Sequence, residues 1–212
     1  MKKIIIALVL LILCCIVANS YFNSKTQKKY EEEYKEFSKL SSTYYETKDI
    51  NNAIKILRYL DSEKKLLARK NAQAPLIGLV AGIISSTPNF KTMIANEEFS
   101  SDITELIQNA EINLPKIKDG IVNSNEKITA ATLDTYWAYY DATGDINAVR
   151  KITQALDPEN NREGLMVTFA AIFSLQANAK KHPEVAKLIK EPEIEKKIND
   201  RLSSINKNNN KK

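Results

Sequence analysis

Thr143-Gly-Asp-Ile-Asn-Ala-Val-Arg-Lys-Ile-Thr-Gln-Ala-Leu-Asp-Pro-Glu159 has a counterpart ninety-six positions earlier, Thr47-Lys-Asp-Ile-Asn-Asn-Ala-Ile-Lys-Ile-Leu-Arg-Tyr-Leu-Asp-Ser-Glu63. Nine of the seventeen ungapped positions are identical, where chance leaves about one or two, and self-similarity of this kind fixes an architecture before any single element does. Each copy reads as a helix end, a tight turn and a new helix. Gly144 suits the left-handed position that closes a helix, and Asp49 and Asp145 are N-cap residues for the new helices. Behind Asp49, Ile50, Ala53, Ile54, Leu57 and Leu60 recur at helical spacing and form one apolar face.

Outward from the two junctions the pattern stays helical. Residues 24–45 predict a helix with Tyr30, Tyr34, Phe37 and Tyr44 as a core stripe and Glu31, Glu32, Glu33 and Lys35 around the outside. Pro75 is expected to open an apolar helix over Leu76–Ile84, whose Gly78 and Gly82 permit close packing; its apolar run is too short to cross a bilayer. Thr87-Pro88 then caps a short helix, and Asp102-Ile-Thr-Glu105 has capping-box spacing. Residues 113–124, with Pro115 and Gly120, are the expected linker between two halves. In the second half Ser124 is placed to cap a helix running to Ala142. Leu165–Ala179 answers Leu76–Ile84, and His182-Pro-Glu-Val-Ala-Lys-Leu-Ile189 answers Thr87–Ile94 in a register one residue shorter. Glu193–Ile205 closes the fold, and residues 206–212 form a polar, basic tail expected to be disordered.

The composition agrees. The 212 residues are 43% hydrophobic and 27% charged, with only five glycines and six prolines. A sandwich or barrel would need more turn residues than that. The expectation is an all-α array of helical hairpins, solenoid-like, in two related halves (24–112 and 124–205) preceded by an N-terminal signal or anchor (1–20). Without the two lysines in residues 1–20 the chain has 29 basic against 26 acidic residues, a net +3, too balanced for a nucleic-acid binder.

Met1-Lys-Lys followed by the uncharged run Ile4–Ala18 has the layout of an export signal. Three outcomes fit it: cleavage after Ala18 or Ser20, retention of residues 4–18 as a short membrane anchor, or lipidation. Leu11-Ile-Leu-Cys14 resembles the lipobox of bacterial lipoproteins, with Leu13 standing where that motif has a small residue. In each case the rest of the chain lies outside the cytoplasmic membrane (periplasmic, secreted or anchored facing outward), since the lysines hold the N-terminus inside. Cys14 and Cys15 are the only cysteines, so a cleaved chain has no disulfide, thiolate metal site or cysteine nucleophile.

Little else carries chemistry. HExxH, a phosphate-binding glycine loop, GxSxG and an EF-hand loop are absent. The single histidine, His182, precedes a proline and occupies an N-cap slot; no second histidine exists to share a metal with it. No catalytic residue, metal ligand or cofactor is assigned. Tyr136-Trp137-Ala-Tyr139-Tyr140 is the one patch with binding character, because Trp and Tyr join apolar area to a hydrogen-bonding tip. Tyr44, Tyr136, Trp137 and Tyr140 are therefore the candidate partner-binding residues, against the plainer expectation that Trp137 and Tyr140 pack between helices.

Tyr44-x3-Lys48-Asp-Ile50-x2-Ala53-x3-Leu57-x2-Leu60 resembles the second half of a tetratricopeptide repeat. Tyr140-x3-Gly144-Asp-Ile146 with Ala155-Leu-Asp-Pro158 resembles it less closely, Ala148 falling one place early. True arrays recur every 34 residues, and here the interval is about three times that. The resemblance implies stacked antiparallel helices and a concave face that binds a protein or peptide partner. The expected function is an exported, non-enzymatic scaffold. A ligand-binding or hydrolytic site between the halves near Tyr44, Trp137 and Tyr140 is the second reading, and tethering through residues 4–18 with the C-terminal lysines on anionic lipid is a third.

Overall fold

Helical apolar spacing, few glycines and side-chain caps at the helix starts act together along this chain, and helix is what they build. A computed structural model describes residues 27–123, 127–160 and 163–209. Among them lie twelve α-helices, two short 3-10 turns and no strand. No described helix is long and apolar enough to cross a membrane. The segment expected to direct export, with Cys14 and Cys15, the Ser124 expected to cap a helix, and residues 210–212 lie outside the described residues.

Residues 1–40 and 41–212 are separate units. In the first, α1, described from residue 27 and ending at 42, carries a Lys29–Glu33 ion pair at 3.6 Å one turn apart. The core stripe expected here is not formed by its tyrosines: Tyr30 and Tyr34 are about half exposed, at 49% and 54%.

The second unit begins with α2 (Tyr44–Thr47) and α3 (Ile50–Ser62). Lys48 ends α2 in the left-handed conformation, and Asp49 caps α3 by accepting the Asn51 N–H at 2.9 Å. Ala53, Ile56, Leu57 and Leu60 are the buried face of α3; Ile50 and Ile54 lie at its edge. After α4 (Lys64–Leu67), α5 spans Lys70–Ser86. Pro75 thus sits inside the helix rather than opening it, removing one backbone hydrogen bond. α6 (Phe90–Ile94) starts from Asn89 in the left-handed region, not from Thr87-Pro88. α7 runs unbroken from Ser101 to Val122 with Pro115 inside it. The expected linker is therefore mostly the C-terminal part of a helix. The expected capping box also moves: Ser100 is the N-cap, and its N–H and hydroxyl both donate to the Asp61 carboxylate.

α8 (Ala130–Thr143) opens with a Thr129/Thr132 capping box and ends at Gly144, φ +72°. Asp145 caps α9 (Ile146–Thr153) by accepting from Asn147 N–H at 3.0 Å, the same arrangement as Asp49 with Asn51. Then come the 3-10 turns at Gln154–Leu156 and Pro158–Asn160, α10 (Leu165–Ala179), α11 (Pro183–Leu188) and α12 (Pro192–Asn209). The final helix includes part of the segment expected to be a disordered tail.

The centre of this unit is the pairing of α5 with α8. At one end Thr135 Oγ1 donates to the Ala74 carbonyl at 3.2 Å; at the other Ser86 Oγ donates to the Ala142 carbonyl at 3.2 Å. The two helices therefore run in the same direction. Between these bonds Gly78 lies directly on the α8 backbone, where a Cβ would come 2.3 Å from the Thr135 carbonyl oxygen. Gly78 and Gly82 thus give the close packing their spacing suggested.

Candidate functional site

The functional groups that converge most closely come from three helix ends. α2 contributes Tyr45, the last two turns of α8 contribute Trp137, Tyr140 and Asp141, and the start of α11 contributes His182 and Glu184. Local chemistry sets their directions. Lys48 and Gly144 stop α2 and α8 with left-handed residues. The Tyr45 ring lies against Gly144, where a Cβ would stand 2.7 Å from its Cδ2. Pro183 takes the first position of α11 and leaves His182 at the N-cap. Its imidazole makes no capping bond and turns inward instead, 3% exposed.

Tyr140 Oη donates to Glu184 Oε1 at 2.6 Å. Tyr45 Oη donates to the same oxygen at 3.3 Å and lies 3.3 Å from His182 Nδ1. Tyr140 and His182 meet edge to face at 5.3 Å between ring centres, and Trp137 meets Tyr140 likewise at 6.0 Å. Trp137 Nε1–H donates to Ser174 Oγ at 2.9 Å. Asp141 Oδ1 is 4.0 Å from His182 Nε2, beyond hydrogen-bond range.

Burial dominates the titration of this cluster. It pushes the Tyr45 phenol up to about 12, with the Glu184 charge adding to the effect. It also raises Tyr140, with the hydrogen bond to Glu184 second. His182 is lowered by burial against an opposing pull from Glu184, which keeps it neutral at pH 7. The Tyr140 hydroxyl is the main cause holding Glu184 below the usual carboxylate range. Asp141 is pushed up to about 7 by burial, partly offset by Lys181, although 28% of its side chain still meets solvent.

The arrangement stores one carboxylate under two phenols beside a neutral imidazole. Two of its hydroxyls face a base, Tyr140 Oη on Glu184 at 2.6 Å and Tyr45 Oη 3.3 Å from His182 Nδ1, but burial raises both phenols and disfavours the phenolate that a covalent step would use. Among the described residues no group of three or more His, Cys, Asp or Glu could hold a metal. Open grooves lie elsewhere: one of about 510 Å³ runs past Arg150, Gln154, Glu191 and Lys197, and one of about 330 Å³ past Lys91, Phe99, Ile107 and Glu111.

The four residues singled out from sequence are all buried: Tyr44 is 1% exposed, Tyr136 2%, Trp137 8% and Tyr140 0%. Trp137 and Tyr140 come together in the cluster. Tyr44 is tied elsewhere, its hydroxyl 2.7 Å from Thr87 Oγ1, and Tyr136 is enclosed in α8 packing. As placed, these side chains are interior supports and not surface. Sequence reasoning missed Tyr45, Asp141 and Glu184, and only adjacency to Tyr44, Tyr140 and His182 could have pointed to them.

The unexplained surface is on α10. Its fifteen residues, LMVTFAAIFSLQANA, contain no charged side chain. Val167, Thr168, Ala171, Ile172 and Leu175 are buried, yet Leu165, Met166 and Phe173 are 58%, 76% and 63% exposed. Compared with protein-family models, curated proteins and solved structures, the chain matches none.

Proposed function

We propose that this protein is a non-enzymatic helical docking module, exported across the cytoplasmic membrane of a bacterium, which binds a protein partner on the exposed face of α10. The observation that carries the reading is that an uncharged helix leaves a methionine and a phenylalanine more than 60% open to water. Scattered exposed apolar residues need no explanation, but a contiguous apolar helix face marks an interaction site. Export rests on the Lys2, Lys3 and Ile4–Ala18 pattern.

Two related helical units, in the manner of tetratricopeptide-like stacking, are the scaffold in this reading. Several paired contacts support the relation. Asp49 and Asp145 cap α3 and α9 through the same Asx contact. Lys48 and Gly144 both take the left-handed turn. Tyr44 reaches Thr87, and Tyr140 reaches Glu184 beside His182. Asp61 accepts from Ser100, and Asp157 accepts from Lys197 at 3.0 Å. The Tyr140–Glu184 contact beside His182 is then the tie of the second half, as Tyr44–Thr87 is the tie of the first, and Tyr45 reaches across from the first half to His182.

The test is a crosslinking pull-down from the cell envelope with wild type, Phe173→Glu and Trp137→Ala. Phe173→Glu is expected to fold normally and lose the captured polypeptides. Unchanged capture by Phe173→Glu, with loss only in a well-folded Trp137→Ala, would return the binding role to the aromatic cluster.

A further inference from the structure

Resting on the docking role assigned to α10, we propose that the occupant of its exposed face is a second copy of this chain, bound through an antiparallel α10–α10 pairing about a two-fold axis.

Position within the duplicated pattern supports this pairing. The register that matches His182 with Thr87 is 95 residues. By it, Phe169, Phe173 and Ala177 of α10 stand where Ala74, Gly78 and Gly82 stand on α5. On α5 that line of residues is covered by α8, through the Ala74 carbonyl and the close approaches at Gly78 and Gly82. On α10 the same line is open: Phe173 and Ala177 are exposed and Phe169 is partly so. The face is one that takes a helix in the first half, and the glycines that admitted a backbone are replaced by side chains suited to interdigitation.

The spacing along the face points the same way. Met166, Ala170, Phe173 and Ala177 follow a 4-3-4 spacing, all exposed, a seam of the kind that packs helix on helix. Small Ala170 and Ala177 alternate with large Met166 and Phe173. In an antiparallel pair the register that sets Met166 against Ala177 of the second copy also sets Ala170 against Phe173, large against small throughout.

Charge selects the occupant. Glu163 precedes the Gly164 N-cap and Lys180 is the C-cap, so an antiparallel pair brings the Glu163 end of each helix to the Lys180 end of the other, and α10 has no charge between them. Both residues are exposed. A two-fold pairing therefore makes two Glu163–Lys180 contacts at the ends of an uncharged seam, and like ends of the two helix dipoles are kept apart. A parallel pair would place Glu163 against Glu163. A head-to-tail copy would present the end of α1 and the start of α2, where the counterparts of Thr135, Tyr139 and Ala142, by which α8 meets α5, are Lys39, Thr43 and Glu46. Those charges do not suit Phe169 and Phe173.

The experiment is sedimentation equilibrium of the full-length chain in a mild detergent, with Phe173→Glu, Ala170→Glu, Glu163→Lys, and Glu163→Lys combined with Lys180→Glu. Circular dichroism melts serve as the fold control. The proposal expects a wild-type dimer whose dissociation constant rises by at least about 30-fold in each of the two seam variants, as for a central interface residue. It expects a smaller, salt-sensitive loss in Glu163→Lys, recovered in the double variant because both end contacts are re-formed with reversed sign. The Ala130 N–H contact to Glu163 at 3.2 Å is lost in both charge variants, so recovery reads the intermolecular pair alone. A dimer untouched by both seam variants overturns the proposal, and a double variant no tighter than Glu163→Lys overturns the antiparallel register. A monomeric wild type also overturns it. If Phe173→Glu then reduces flotation of that monomer with phosphatidylglycerol vesicles, the face belongs to lipid. If position 173 instead still captures another envelope polypeptide, the docking role survives and only the second copy is lost.

Discussion

Gly78 stands so close to Thr135 that any side chain at position 78 would occupy the space of the Thr135 carbonyl oxygen, 2.3 Å from a Cβ. The neighbour is backbone, not the movable end of a side chain, so α5 and α8 would have to separate. Gly78→Ala is expected to lower stability by about 1–3 kcal/mol, the range of overpacking that forces a backbone shift. Urea unfolding would show this as a lower midpoint at unchanged slope. A neutral Gly78→Ala would mean that α5 and α8 do not meet along this line.

Gly144 and Gly164 separate two effects of the same substitution. Both have positive φ, +72° and +68°. A Cβ at Gly144 also meets the Tyr45 ring at 2.7 Å, whereas at Gly164 it meets nothing within 4 Å. Gly164→Ala should cost about 1–3 kcal/mol for conformation alone, because φ +68° with ψ −148° is a region that glycine alone adopts readily. Gly144→Ala, in the ordinary left-handed region, should in addition disturb Tyr45, visible in near-ultraviolet circular dichroism, and Gly164→Ala should leave that signal unchanged. An unchanged aromatic signal in a folded Gly144→Ala would contradict the placement of that ring.

Asp141 makes the fold sensitive to pH in a defined direction. Its carboxyl is raised from 3.8 to about 7, so the folded chain holds a proton that the unfolded chain has released. Stability from this group is full below about pH 4 and is lost as pH rises towards 7. His182 is lowered and works the other way, its contribution being lost as pH falls below the ordinary histidine value of 6.5. Asp141→Asn removes the first effect and keeps the second. Its stability gain over wild type should grow by about 1–2 kcal/mol between pH 5 and pH 8, allowing for the solvent contact of the side chain. Parallel stability curves for the two proteins would show that Asp141 is not held protonated by burial.

Tyr140→Phe removes the shorter of two phenol bonds to Glu184 while keeping the ring contacts with Trp137 and His182. A hydrogen bond to a charged group contributes about 1.5–3 kcal/mol when enclosed, and Glu184 is only partly enclosed. A loss of about 1–2 kcal/mol is expected above pH 5. Glu184 is lowered from 4.5 by this bond, so the loss should shrink as pH falls below 4.5 and the carboxyl protonates in both proteins. A loss independent of pH would assign the effect to packing instead.

The parts of this fold that were legible beforehand are those decided by neighbours in sequence. Asp49 and Asp145 cap helices because the carboxylate reaches an N–H two residues on. Gly144 turns left-handed because it has no Cβ, and Leu165–Ala179 is bounded by Gly164 and two lysines. The prolines misled, because a proline is permitted at a helix start and costs about 3 kcal/mol inside one. Pro75 and Pro115 are nonetheless interior, in helices whose other residues bury Leu79, Val80 and Ile83 or Ile103, Leu106 and Ala110. Packing outweighed one missing bond. The Tyr45–His182 contact spans 137 residues, and no local pattern reports it. Nor could apolar content alone show that the Leu165–Ala179 helix is covered on one side only.

The role of that open side is tested most directly by placing a photoreactive amino acid at position 173 and, separately, at exposed Lys65 on α4, then irradiating intact cells. Docking on α10 predicts a discrete adduct from position 173 and none from position 65. Equal labelling at both positions, or no adduct at 173 from a protein that is folded and exported, would contradict it.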